Sequence, residues 1–148
     1  MHFDIMVGSV LGASEYVAEA LLASIKAAGH DGECHFEPSV SSLNKANILL
    51  ICTSTHGAGD LPDNIENYAK DLAKLDLSGV NAIVIGLGDS SYDTYCGAAM
   101  KMETLIVQQG ATLLTEPLHI DVLNHPIPED TAVEWIEEQL PLILEKTS

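Results

Sequence analysis

The sequence predicts an α/β fold of three layers, a doubly wound five-stranded parallel sheet with helices on both faces. Two apolar runs, 47–54 (NILLICTS) and 80–87 (VNAIVIGL), lack the alternation of a half-exposed strand and read as strands buried on both sides. Helix-period segments separate the apolar runs, an order that calls for right-handed crossovers and a covered parallel sheet. Loops rich in glycine and hydroxyls, at 8–16, 54–63 and 87–97, follow three of these strands, where a doubly wound sheet binds its ligands.

The elements follow in order. Phe3, Ile5, Met6 and Val7 form the first apolar run, which stops at Gly8. A helix is predicted over 14–28, with Val17, Leu21 and Ile25 on one stripe, Ala18 and Leu22 beside it, and Gly29 as its stop. A short strand over 33–37 (ECHFE) ends at Pro38, and 39–46 is a polar connection with room for a helical turn. The strand 47–54 is central. A helix then runs to about Leu75 with Ile65, Tyr68 or Ala69, and Leu72 inward. After the strand 80–87 comes a helix bearing Met102, Leu105 and Ile106 and stopping at Gly110. The fifth strand, 111–122, is expected to break or bend near Pro117. Asp130 or Thr131 is the expected cap of the last helix, with Thr131 and Glu134 at capping-box spacing, Val133, Ile136, Leu140 and Ile143 inward, and a kink at Pro141.

Length and composition narrow the function. A chain of 148 residues with 47% hydrophobic content makes one domain, 1–148, with a good core. The longest apolar runs are strand-length and no signal-peptide pattern is visible, so the expectation is a cytoplasmic protein with no membrane span. Cys34, Cys52 and Cys96 are three and widely separated, which suits reduced thiols rather than a disulfide framework or a zinc site with paired ligands. The net charge of −16, with six lysines and no arginine, opposes binding to a nucleic acid backbone. Such a charge serves solubility, or it steers the protein toward basic surfaces, as in small carriers that dock briefly on larger enzymes.

The three loops carry the chemistry. At 8–16 (GSVLGASEY) the small residues Gly8, Ser9, Gly12 and Ala13 allow close backbone approach, and a helix start offers N–H groups without partners. Ser9 and Ser14 add hydroxyl donors. The first lysine is Lys26, so an anion here would be neutralised by backbone dipoles and hydroxyls. This loop is neither a Walker loop nor the three-glycine dinucleotide fingerprint. The second loop, Ser54-Thr55-His56-Gly57-Ala58-Gly59-Asp60, can offer backbone groups to a flat heterocycle, with His56 stacked on a ring or idle in solvent. Ser54, His56 and Asp60 lie too close in sequence for a hydrolase triad, whose members converge from separate elements. The third loop places Tyr92 and Tyr95 beside a strand end, Tyr92 as the stacking residue and Tyr95 either stacked or packed beneath the loop. Cys96 reads as a small buried hydrophobe and Asp89 as an acceptor of loop N–H bonds.

Together GSVLGASEYVAE, STHGAGD and GLGDSSYDTYCGA resemble the phosphate loop and the two flavin-ring loops of flavodoxins, through the whole chain and with short-chain spacing. The resemblance implies a flavodoxin-like strand order 2-1-3-4-5, a fold for which flavodoxin itself is a standard example. It implies FMN as cofactor. Ser9, Val10, Leu11, Gly12, Ala13 and Ser14 would hold the phosphate. Ser54, Thr55, His56, Gly57, Ala58 and Gly59 would line one side of the ring, and Gly88, Asp89, Tyr92, Tyr95, Cys96 and Gly97 the other. It also implies that the 57–58 peptide, in a turn from His56 to Gly59, reorients on reduction. A turn with positive φ at Gly57 should be preferred to one with positive φ at Ala58. Val10, Leu11 and Ala13 stand where many flavodoxins have Thr, Thr and Asn, and His56 where many have Trp, which lowers the expected affinity and alters the expected potential.

The function implied is a single-electron shuttle between a basic-surfaced flavoprotein reductase and an acceptor redox enzyme. It would dock transiently, as a monomer, and would be a carrier rather than an enzyme with its own substrate. The alternatives are an FMN-dependent quinone-type reductase, for which no nicotinamide motif is visible, and a flavodoxin-fold regulatory module that has lost flavin. A phosphorelay receiver shares the fold but needs several carboxylates at the strand ends, where this chain has Ser9, Ser54 and Gly88 with only Asp89 acidic.

Overall fold

The computed structural model describes residues 1–10 and 12–147. Its elements are β1 (His2–Gly8), α1 (Ala13–Ala27), β2 (Asp31–His35), a 3₁₀ turn (Val40–Ser42), β3 (Ile48–Thr53), α2 (Asp63–Leu72), β4 (Asn81–Gly88), α3 (Gly97–Gln108), β5 (Thr112–Leu113), β6 (Leu118–Asp121) and α4 (Pro128–Thr147). Every strand pair is parallel, in the order β2-β1-β3-β4-β5, with β6 also paired to β4. The order is the one expected. The fifth strand is split: Leu113 lies beside Ala82 and Leu118 beside Ile85, with Pro117 between the two pieces, because proline has no N–H to give the ladder.

Alternation along the buried strands sorts side chains into two cores. Phe3, Ile5 and Val7 face α1 through Val17, Leu21 and Ile25, and α4 through Ile136, Leu140 and Ile143. Met6, Leu49 and Ile51 face α2 through Ile65, Tyr68 and Leu72, and α3 through Met102 and Ile106. Each core helix thus buries one stripe, and the two layers together cover β1, β3 and β4 on both faces. The Tyr68 hydroxyl is buried with no hydrogen-bond partner among the described residues, and burial, then the charge of Asp4, pushes its pKa up.

Several boundaries differ from those the sequence predicts. The second strand is Asp31–His35 rather than 33–37, since it begins in register with β1 at His2 and the chain leaves the sheet at Phe36. Helix α1 starts at Ala13, after Gly12 at φ 90°, and α2 ends at Leu72 rather than Leu75. Helix α4 starts at Pro128, so Asp130 and Thr131 lie inside it: a proline at the first helical position needs no N–H and already holds a helical φ. Pro128 and Ala132, rather than Val133, are the buried residues of its first turns. No helix among the described residues is long and apolar enough to cross a membrane. All three cysteines are free thiols.

Candidate functional site

The carboxyl ends of β1, β3 and β4 lie side by side, Gly8 beside Thr53 and Thr53 beside Gly86, so the three loops that follow them converge. The Gly8 carbonyl holds two of them together. It accepts the Ser54 N–H at 2.9 Å, the Ser54 hydroxyl at 3.4 Å and the Ser14 hydroxyl at 2.5 Å. Ser14, expected to add a hydroxyl donor, is fully buried, and its hydroxyl donates to Gly8 inside the protein. In the first loop the Ser9 hydroxyl accepts the Gly12 N–H at 2.9 Å, and the Ser9 N–H goes to Asn64 Oδ1 at 2.9 Å. No side chain among the described residues caps α1, which leaves the positive end of its dipole toward the loop. Leu11 lies outside the described residues.

A cleft of about 340 Å³ opens among the loops. Val10 and Ala13 line it from the first, Ser54, Thr55 and Gly57 from the second, and Gly88, Asp89, Tyr92, Tyr95 and Cys96 from the third. Tyr92 at 65% exposure and Val10 at 45% stand at its mouth. Among the described residues the lining includes no lysine, and Asp89 is its one charged residue. Ser9, Gly12, Ser14, His56, Ala58, Gly59 and Gly97 do not line it; they support or flank the residues that do. His56 is exposed.

The second loop closes between His56 and Asp60, not between His56 and Gly59. Each donates its N–H to the other's carbonyl at 2.8 Å. Gly57 takes φ 51°, and Ala58 stays out of the left-handed region, where Cys96 is the one non-glycine among the described residues. The Thr55 hydroxyl donates to the Leu87 carbonyl at 3.3 Å and accepts the Ala98 N–H at 3.4 Å, tying this loop to β4 and to the start of α3. Gly59 and Gly97 meet backbone to backbone: a Cβ added to Gly97 would lie 2.9 Å from Gly59 Cα.

The third loop is shaped by two carboxylates. Asp89 Oδ1 accepts the Ser91 N–H at 2.9 Å and its hydroxyl at 2.6 Å, the turn role expected of it. Asp121, at the end of β6, accepts the N–H groups of Ser90 at 3.1 Å and Leu123 at 3.0 Å, and the hydrogen bonding from Ser90 holds its carboxyl below the usual range. Tyr95 meets the His119 ring edge-on, centroids 6.4 Å apart, and His119 Nε2 lies 2.8 Å from Glu103 Oε1. Burial pushes the Tyr95 hydroxyl up to about 12, so it stays neutral. Cys96 is fully buried, and burial pushes its thiol up to about 11, which makes it an unreactive packing group.

Sequence reasoning places Leu87 and Thr94 in the 87–97 loop without singling them out, and it misses Val122 in the lining and Asn64, Asp121 and His119 behind it. Val122 reaches the cleft because its N–H bonds to the Gly88 carbonyl at 2.9 Å, a consequence of the β4–β6 register that no local pattern carries. Asn64 has one available signal, an amide on the first turn of the helix that follows a ligand loop.

Residues 5–135 match the family model described as Flavodoxin. Protein MioC of Escherichia coli (strain K12) is 43% identical over 138 residues, covering 92% of this chain and 94% of that protein. Flavodoxin YqcA of the same organism is 34% identical over 143 residues, covering 93% and 95%. Among solved structures, a cysteine-to-serine mutant of flavodoxin from Pseudomonas aeruginosa superposes with a TM-score of 0.88 at 32% identity, covering 97% of this chain and 99% of that one. With the strand order and the cleft at its carboxyl edge in agreement, the chain belongs to the flavodoxin family.

Proposed function

We propose that this FMN electron carrier takes electrons from a basic-surfaced flavoprotein reductase and delivers them to an acceptor redox enzyme, docking transiently at the cleft mouth as a cytoplasmic monomer. The observation that carries the reading is one open cleft built by all three loops. Its lining is mostly apolar or backbone, and it has the uncapped start of α1 on one side and Tyr92 on the other. That donor set fits FMN. The α1 start with Ser9, Gly12 and Ala13 would take the phosphate, the 54–59 loop one side of the ring, and Tyr92 and the 88–97 backbone the other. FMN, when bound, supplies the one-electron redox chemistry, and the protein supplies binding, exclusion of water and a local field. With the Ser14 hydroxyl held on Gly8, phosphate binding rests on main-chain N–H groups, the helix dipole and Ser9. FMN should therefore bind more tightly than riboflavin, which lacks the phosphate, in parallel fluorescence titrations. Equal affinities would show that the 9–14 loop holds no phosphate.

The acidic residues near the loops are unequal. Asp60 faces Lys101 Nζ at 3.5 Å, an exposed pair of small energetic weight, and Asp89 is committed to its turn. Asp63 and Asp93 are exposed and are the residues to neutralise. Electron transfer from a basic reductase should slow as salt rises toward physiological strength, where the screening length is about 8 Å, and Asp63→Asn with Asp93→Asn should lower the on-rate and flatten that dependence. A rate indifferent to salt would mean that the charge of −16 serves solubility alone.

The φ of 51° at Gly57 makes a further expectation concrete. If the loop's present conformation is the one that supports the reduced flavin, Gly57→Ala places an alanine in the left-handed region at a cost of roughly 1 to 2 kcal/mol. The first one-electron potential should then fall by roughly 40 to 90 mV, at about 59 mV per tenfold. Ala58→Gly should also lower it, by easing the alternative turn. A redox titration in which both variants keep the parent potential would remove the loop from control of it.

A further inference from the structure

We propose that β1 and β2 carry a binding site for one divalent transition-metal ion of the Zn²⁺ class, far from the flavin cleft. Parallel pairing sets His2 beside Asp31, Asp4 beside Glu33 and Met6 beside His35, so that His2, Asp4, Glu33 and His35 share one face of the sheet. The cleft is at the other end of β1. Cys34 points to the opposite face, where its thiol contacts the Ala18 carbonyl at 3.6 Å, and takes no part.

The donor atoms are already gathered. Asp4, only 7% exposed, turns Oδ1 toward His2 Nε2 at 3.3 Å and His35 Nε2 at 3.2 Å. Glu33 Oε2 is 3.8 Å from His35 Nε2, and one donor atom each from His2, Asp4 and Glu33 lie within 4.8 Å of one another. A tetrahedral ion with bonds of about 2.1 Å needs its ligand atoms roughly 3.4 Å apart, the spacing that His2 and Asp4 already have, and Glu33, on an exposed side chain, would close in. His2, Asp4 and Glu33 are the three protein ligands, and His35 borders them through Asp4 and Glu33, which leaves the fourth position open to solvent.

The outer groups separate this cluster from an ordinary hydrogen-bonded carboxylate. Asn47 Nδ2 donates to Asp4 Oδ2 at 2.9 Å, which fixes the carboxylate with Oδ1 facing the imidazoles. His2 turns its other nitrogen, Nδ1, to Asp31 Oδ2 at 3.9 Å. An imidazole that gives its Nε2 lone pair to a metal must carry its proton on Nδ1, and a carboxylate facing Nδ1 is the partner such ligands use. No redox step is involved: the ion replaces the contacts between Nε2 and Oδ1, and the Asp31 carboxylate, 3.9 Å from Nδ1, favours a proton on that nitrogen by its charge. Asp4 and Glu33 offset the ionic charge. The His2 imidazole among the ligands, with the His35 imidazole beside them, favours Zn²⁺ or its neighbours over Mg²⁺ and Ca²⁺, which take oxygen ligands. Glu33 is exposed and β2 is the sheet edge, so the ion has a way in.

The test is calorimetric titration of the untagged, FMN-loaded protein with Zn²⁺ and separately with Mg²⁺. Co²⁺ absorption serves as the reporter of coordination. We expect one Zn²⁺ per chain, no saturable Mg²⁺ binding, a d–d spectrum of four-coordinate Co²⁺, and a higher unfolding temperature with Zn²⁺ because the ion binds the folded chain alone. His2→Ala and Glu33→Gln, both at partly exposed side chains that the core does not need, should each weaken Zn²⁺ at least tenfold. His125→Ala, at an exposed histidine elsewhere, should leave it unchanged. Absence of saturable Zn²⁺ binding, or parent affinity in both His2→Ala and Glu33→Gln, overturns the site.

Discussion

Gly97→Ala should loosen FMN by roughly tenfold or more while the sheet stays intact. The added Cβ would sit 2.9 Å from Gly59 Cα and 3.2 Å from the Gly59 carbonyl oxygen. Both are backbone atoms with no rotamer to turn away. Gly59 has little room of its own, since it holds φ 90° with Thr94 packed against it. The 56–60 loop must therefore move off the start of α3. Overpacking of this kind typically costs about 1 to 3 kcal/mol, which is about 5- to 150-fold in a dissociation constant if it falls on the bound state. It should fall there because the loop is at the surface. In the free protein it can retreat, whereas the ligand needs both walls of the cleft in place. FMN fluorescence quenching, read beside a thermal melt, measures the two effects separately. Parent affinity in the alanine variant would show that the two walls are not coupled through this contact.

Much of this site is legible in the sequence because its parts are local. The two unbroken apolar runs could only be covered strands, and the loops after them had to reach the sheet's carboxyl edge. Asp89 can be assigned to its turn because both donors its carboxylate accepts belong to Ser91, two residues on. Ser14 shows where such reading ends. A hydroxyl at a helix start can serve an anion or the protein, and the bond it makes to Gly8 depends on where β1–β3 pairing puts that carbonyl, which no local pattern carries. The second strand was displaced by two residues because an edge strand with mixed burial has no apolar run to mark it, so its register with β1 set the bounds. The charged cluster on that strand is equally silent in sequence. His2, Asp4, Glu33 and His35 are ordinary residues at alternating positions until parallel pairing places them together.

Asn64→Ala should weaken both the fold and FMN binding, and Asn64→Asp should separate the two effects. The amide joins three segments that meet nowhere else in sequence. Nδ2 donates to the Val7 carbonyl at 2.7 Å and the Phe36 carbonyl at 3.1 Å, and Oδ1 accepts the Ser9 N–H at 2.9 Å. Each such bond contributes about 0.5 to 1.5 kcal/mol net, and water can reach part of this site, so alanine should cost about 1 to 3 kcal/mol of stability. The first loop then loses its tie to α2, and FMN affinity falls because the N–H groups at the α1 start are no longer held in place. Aspartate keeps an acceptor for the Ser9 N–H but has no donor for the two carbonyls, and it brings a negative charge to the first turn of α2, next to the 9–14 loop proposed for the phosphate. Its effect on FMN should therefore exceed that of alanine, while its effect on riboflavin, which lacks the phosphate charge, should not. Titrations of both variants with both flavins decide the matter: an aspartate variant that loses FMN and riboflavin in equal proportion would place the phosphate away from the Ser9 to Asn64 contact.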